Sequence, residues 1–143
     1  MHSELQTLGR AVKQAQYRQH RALESGLAAI GTTLAQWDAL RAIGNVRGAS
    51  ARELAGATFQ SEQAFGTLAS RLVAQGLVER RPGRGRRIEH HLTPDGERVL
   101  KEGHRIADEV LAECFSVLSV ADRTILLGLL QRLTLGGEGV TGT

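Results

Sequence analysis

Six arginines fall between positions 71 and 91, against only Glu79 and Glu89. Three of them stand in the run Pro82-Gly83-Arg84-Gly85-Arg86-Arg87. A guanidinium is always charged, planar and weakly hydrated, so it suits phosphate oxygens and a narrow groove of negative potential. Gln63 and Thr67 stand a few residues upstream. A glutamine amide can bond adenine bidentately, and a threonine can bond a base edge or touch a thymine methyl. Arg71 is a phosphate candidate, with an internal salt bridge as the alternative. Ser61, Ser50 and Arg52 complete the set, although capping is the first duty expected of Ser50. This is chemistry of nucleic-acid recognition, without bond making. The plain alternative is a solvated basic loop beside ordinary surface polar residues.

Most of the chain reads as helix. Leu5, Leu8, Val12, Ala15 and Ala22 give a broken apolar stripe over about 3–25. Thr33-Leu34-Ala35-Gln36 is a capping-box pattern that opens a second helix, ending near Gly44-Asn45. Ser50-Ala51-Arg52-Glu53 opens a third, which ends near Gly56. The fourth spans about 61–75 and stops at Gly76. Its Phe65, Leu68, Ala69 and Leu72 face a core, while Gln63, Gly66, Thr67, Ser70 and Ala74 face away. A strand over 76–81, the arginine-rich tip and a return strand over 88–92 make a hairpin. Thr93-Pro94 starts a fifth helix over about 94–117, and Ser119 starts a sixth to about 135.

Helix, turn, helix and basic hairpin make a winged helix-turn-helix over 33–93. The expected fold is mostly α with a small two-stranded β wing. One helix would enter the major groove, and the wing would lie on the backbone or minor groove. The outer helices, 1–25 and 94–135, are more apolar than such a module needs. Ile125, Leu126, Leu129, Leu130 and Leu133 form one wide face. A two-fold homodimer is the economical way to bury it, and it suits a palindromic operator. Residues 136–143, rich in glycine, read as a frayed tail.

Composition agrees with this reading. The 143 residues suffice for a single domain with its own core. Residues 1–94 carry 13 Lys+Arg against 7 Asp+Glu, whereas 95–143 carry 5 against 8. The positive charge is therefore local, as a phosphate footprint should be. Sixteen of the basic residues are Arg and two are Lys, pointing to a GC-rich, bacterial genome in which some arginines reflect codon usage. No apolar run is long enough for a membrane span, and no secretory signal is expected at the start. The lone Cys114 suits a reducing cytoplasm.

These residues resemble the MarR family of bacterial transcriptional regulators over almost the whole chain. The likeness rests on Leu34 to Leu40, on Glu53-Leu54-Ala55 and on Ser70 to Arg80. It rests also on Arg86, followed six residues later by Leu92-Thr93-Pro94-Asp95-Gly96. The resemblance implies a homodimer held by its terminal helices, with the fourth helix in the major groove and Arg86 in the minor groove. It also implies repression relieved by a small, often aromatic effector. Tyr17, His20 and Trp37 then become candidates to stack on or hydrogen-bond such an effector. The alternative puts Trp37 in the core and Tyr17 at an interface. Two departures from the family stand out. Arg84 occupies the place of a wing acid that normally orients the hairpin, and Gly66 replaces a hydroxyl-bearing residue. An architectural or protein-interaction module with little sequence preference is the competing reading.

Metal, redox and enzymatic chemistry find little footing. His90 and His91 are adjacent on a strand and point to opposite faces, so they do not readily chelate one ion. His2, His20 and His104 are scattered. Cys114 sits at an apolar position of helix five, and the reactive cysteine of peroxide-sensing relatives belongs to the first helix. There is no phosphate-cradling glycine loop and no nucleophile with a base, so neither catalysis nor a cofactor is expected.

Overall fold

The computed structural model describes residues 3–141, with side-chain surroundings for 3–135. The order is α1 (Glu4–Ala28), α2 (Leu34–Asn45), α3 (Ala51–Ala57), α4 (Glu62–Ala74), β1 (Val78–Pro82), β2 (Ile88–Leu92), α5 (Pro94–Cys114) and α6 (Val120–Thr141). Two compact units divide the chain, Met1–Val110 and Leu111–Thr143.

Serine and threonine caps open the helices of the first unit. Ser3, Thr33, Ser50 and Ser61 each accept a hydrogen bond from the backbone N–H three residues on. Each satisfies one donor that the first helical turn leaves unpaired. The box expected at α3 is complete, because the Ser50 hydroxyl also donates to Glu53 Oε1 at 3.2 Å. At α2 the glutamine turns elsewhere: Gln36 Oε1 accepts from Thr32 Oγ1 at 3.2 Å.

Gly76 ends α4 at φ +76°, with its N–H donating to Val73 O and the Leu77 N–H to Leu72 O. That pair of bonds requires a left-handed residue, which glycine supplies without strain. Gly76 and Leu77 therefore belong to the helix stop, and β1 starts at Val78, two residues later than the sequence suggests. Thr93 joins this stop to α5. Its hydroxyl donates to Gly76 O at 2.6 Å and accepts from Gly96 N at 3.0 Å. The sheet is an antiparallel pair in which Val78 faces Leu92 and Pro82 faces Ile88.

Between α3 and α4 the turn passes through Phe59, the single non-glycine residue at positive φ (+58°) among the described residues. Its side chain is 97% exposed. That conformation costs a non-glycine residue about 1–2 kcal/mol.

The core of this unit joins Leu40 and Ile43 of α2, Leu54 and Ala55 of α3, Phe65, Ala69 and Leu72 of α4, and Val78 of β1. Phe65, Ala69 and Leu72 are fully covered and Leu68 is half-buried, as the helical spacing requires. Trp37 packs over Gly103 of α5, where no side chain would fit, and meets the edge of the His104 ring at a 5.5 Å centroid distance. In α1 only Leu23 and Leu27 are buried, and Leu5, Leu8 and Val12 stay in solvent.

In the second unit, α5 ends at Cys114, short of the expected 117. Ser116 Oγ donates to Glu113 O and Arg123 Nε to Phe115 O, so side chains take carbonyls that another helical turn would have used. Ser119 caps α6 by accepting from Asp122 N. The helix continues to Thr141, past the expected end near 135. Glycine weakens a helix by about 1 kcal/mol per residue without blocking its hydrogen-bond ladder, and the segment contains no proline. Positions 142–143 lie outside the described residues. Ile125, Leu129, Leu130 and Leu133 are exposed along α6. No helix among the described residues is long and apolar enough to cross a membrane.

Candidate nucleic-acid interface

The outward face of α4 carries a shallow groove of about 450 Å³, lined by Ser61, Gln63, Ala64, Thr67, Leu68 and Arg71. Four polar residues singled out in the sequence therefore share one surface. Ser61 is also the helix cap, and its Oγ is taken up by Ala64 N at 3.1 Å. Thr67 Oγ1 donates to Gln63 O at 3.2 Å, leaving the oxygen lone pairs and the methyl group to face outward. Gln63 projects into solvent.

The arginine cluster sorts into two groups. Arg71, Arg84 and Arg86 are exposed and form no ion pair among the described residues. Arg80, Arg81 and Arg87 are engaged. Arg81 pairs with Glu79 at 3.0 Å. Arg80 Nη2 donates to Ser70 Oγ at 3.1 Å and to Gly66 O at 3.3 Å, tying the wing to α4. Arg87 Nη1 donates to Glu53 Oε1 at 2.6 Å and Nη2 to Gly48 O at 2.8 Å, tying it to α3 and the loop before it. The hydrogen bond with Arg87 holds the Glu53 carboxyl below its ordinary range, and the same bond raises the Arg87 guanidinium.

Neither Arg87 nor Arg80 was given a separate role from the sequence, and both are structural ties. The clue for Arg80 was period two, because Arg80 shares a strand face with buried Val78. For Arg87 no local clue exists, since Glu53 lies 34 residues away.

The tip itself is a tight turn. Gly83 N donates to Arg87 O at 2.8 Å, Arg87 N donates to Arg84 O at 3.1 Å, and Gly85 takes φ +61°. Glu89 fills the space beside Gly48 and Gly83, where added Cβ atoms would meet its carboxylate or stem at 3.1 Å. The restraint that an acid at position 84 would have given is thus supplied from α3 and from β2.

His90 is buried, with Nδ1 3.0 Å from Ala49 O and its ring edge-on to Phe65 at 6.1 Å. A carbonyl accepts only, so Nδ1 carries the proton. Desolvation lowers its pKa, Arg80 and His91 push the same way, and the Ala49 carbonyl opposes them. His91 turns the other way and reaches Glu89 Oε1 at 3.0 Å. No three His, Cys, Asp or Glu side chains gather around one point among the described residues. Cys114 is half-buried in the last turn of α5.

The effector candidates differ in their surroundings. Trp37 is 4% exposed and Tyr17 is 59% exposed. Arg21 lies over the Tyr17 ring at 5.8 Å, and His20 lies 3.9 Å from Glu24. The core reading fits Trp37 best. Ser50 works as a cap, and Arg52 is exposed without an ion pair among the described residues.

A family model for MarR matches residues 30–88, which hold α2, α3, α4 and β1 up to the start of β2. Over these residues the chain is similar to the MarR family. It is similar to a probable transcriptional regulator from Pseudomonas aeruginosa at 29% identity, with a TM-score of 0.79 over 87% of this chain and 95% of that one. A mutant MarR from E. coli complexed with operator DNA shares 24% identity, with a TM-score of 0.84 over 91% of this chain and 95% of that one. BpsR of Bordetella bronchiseptica, whose DNA binding is regulated by 6-hydroxynicotinic acid, gives 22% and 0.82 over 93% of this chain and 98% of that one. The last two likenesses are of fold. Comparison with curated proteins gives no match. The chain thus shares the fold of MarR-family regulators; of the two departures noted in the sequence, Arg84 is exposed at the wing tip and Gly66 is half-buried on α4.

Proposed function

We propose that this chain is a MarR-family regulator, homodimeric and sequence-specific in DNA binding, that represses transcription and is released by a small effector. The sorting of the arginines is the observation that carries the reading. Arg71 lines the polar groove of α4, and it and the exposed wing-tip residues Arg84 and Arg86 form no ion pair among the described residues, while Arg80 and Arg87 fasten the wing to α4 and α3. Fixed arginines position and free ones bind. Gln63 and Thr67 read base edges, Arg71 meets phosphate, and Arg84 and Arg86 enter the minor groove. Ser61, Ser50 and Arg52 add contacts at the entries of α4 and α3.

The apolar residues left in solvent on α1, and separately on α6, support a second copy as partner. Operator DNA on one fold relative supports the nucleic-acid partner, and 6-hydroxynicotinic acid on another supports an aromatic acid as effector. An effector that binds the DNA-incompetent arrangement better would weaken operator affinity by the same factor by which the operator weakens effector affinity. The protein would do this work in the cytoplasm.

Hydroxyl-radical footprinting on the DNA upstream of its own gene tests this reading. Two protected patches related by a dyad, centred about one helical turn apart or a multiple of it, are expected. Uniform protection without a dyad supports an architectural module and contradicts the proposal.

A further inference from the structure

We propose that Phe59 is a specificity-determining residue of the DNA interface, its ring packing against a thymine C5-methyl group at the edge of the major groove. The inference rests on the functional reading above. Phe59 combines two unfavourable features, a φ of +58° and a ring 97% exposed to solvent. Glycine or asparagine accepts that backbone far more easily, and neither would put an aromatic ring into water. The fold gains nothing from the ring. The turn is held by Thr58 Oγ1 to Leu54 O, Phe59 N to Gly56 O and Gln60 N to Ala55 O, all independent of it.

Its position says what the ring is for. Phe59 stands two residues before Ser61, which lines the α4 groove together with Gln63 and Thr67. Two residues of chain span at most about 7 Å, so a duplex seated before Gln63 passes within reach of a phenyl ring. Apolar contact with the thymine methyl is an established form of major-groove readout. The residues leading from Phe59 into the groove, Gln60, Ser61 and Gln63, are polar, as a face turned to DNA requires.

The test uses the full-length protein and the shortest upstream duplex that it protects, with each thymine replaced singly by deoxyuridine. This removes one methyl group and nothing else. Wild-type protein is expected to lose about four-fold affinity at one dyad-related pair of thymines. Phe59→Gly and Phe59→Asn should bind the unmodified duplex about four-fold more weakly, ignore uracil at that pair, and keep or raise the Tm. Unchanged affinity in both variants, or wild-type indifference to uracil at every position, overturns the proposal. A fall in Tm in both variants also overturns it, because the ring would then serve the fold. Wild-type protein that prefers no duplex overturns the functional reading itself, an outcome separable from the others because no variant is needed to see it.

Discussion

Arg87 and Glu53 meet at 2.6 Å across 34 residues of chain, and the second guanidinium nitrogen of Arg87 reaches Gly48 O at 2.8 Å. The wing is thereby fastened to the N-terminal turn of α3. An exposed ion pair contributes little to global stability, because water and salt screen it. Its effect is local, on a tip that contains Gly83 and Gly85.

The first prediction concerns this clamp. Glu53→Ala removes a negative charge near DNA, which by electrostatics alone should tighten binding. The clamp predicts the opposite sign, a several-fold loss of operator affinity with little change in Tm. In a double-mutant cycle, adding Glu53→Ala to Arg87→Ala should cost almost nothing further, since coupled residues are not additive. Tighter binding by Glu53→Ala would show that the pair does not hold the wing.

Free and engaged arginines should differ in salt dependence. Arg86→Ala should lower operator affinity several-fold and reduce the slope of log K against log salt by about 1, as expected for one lost phosphate or groove contact. Arg81→Ala should leave that slope unchanged, because its guanidinium is already paired with Glu79. Equal slopes for the two variants would undo the sorting.

Two glycines should respond in opposite directions. No atom lies within 4 Å of a Cβ at Gly66, so Gly66→Ala should stabilise α4 by about 0.5–1 kcal/mol. A Cβ at Gly103 would overlap the Trp37 indole, so Gly103→Ala should destabilise by about 1–3 kcal/mol. Urea denaturation of the two variants measures both. The Gly66 carbonyl keeps its bond from Arg80 in either case, so the wing stays tied to α4 in Gly66→Ala.

Much of this was legible in the sequence. Capping residues, the Gly76 stop and helical periodicity placed every element and the buried face of α4, because those signals act within a few residues. The Arg87–Glu53 clamp was not legible, since it joins a wing tip to a helix 34 positions away. The turn at Phe59 was also hidden, because phenylalanine carries no local signal for positive φ. The end of α6 at Thr141 was not legible either, because its C-terminal glycines have low helix propensity.

His90 should give stability a pH dependence. Burial lowers its pKa from the usual histidine value of 6.5, so the native state binds fewer protons than the unfolded chain. Stability is then fully present above 6.5 and falls as pH drops below it towards the native pKa. Melting should therefore weaken between neutral pH and mild acid, and His90→Gln, which keeps a donor for Ala49 O but does not titrate, should flatten that part of the profile. An unchanged profile would assign the loss to other groups. Glu53, whose pKa is lowered from 4.5, acts in a separate window further into acid.

The central claim is that α4 and the wing read DNA sequence. A titration of wild-type protein at fixed salt, with its own upstream duplex and a scrambled duplex of equal composition, tests it most directly. The account predicts an affinity ratio of about 10³ or more in favour of the upstream duplex. Equal affinity for the two would contradict it.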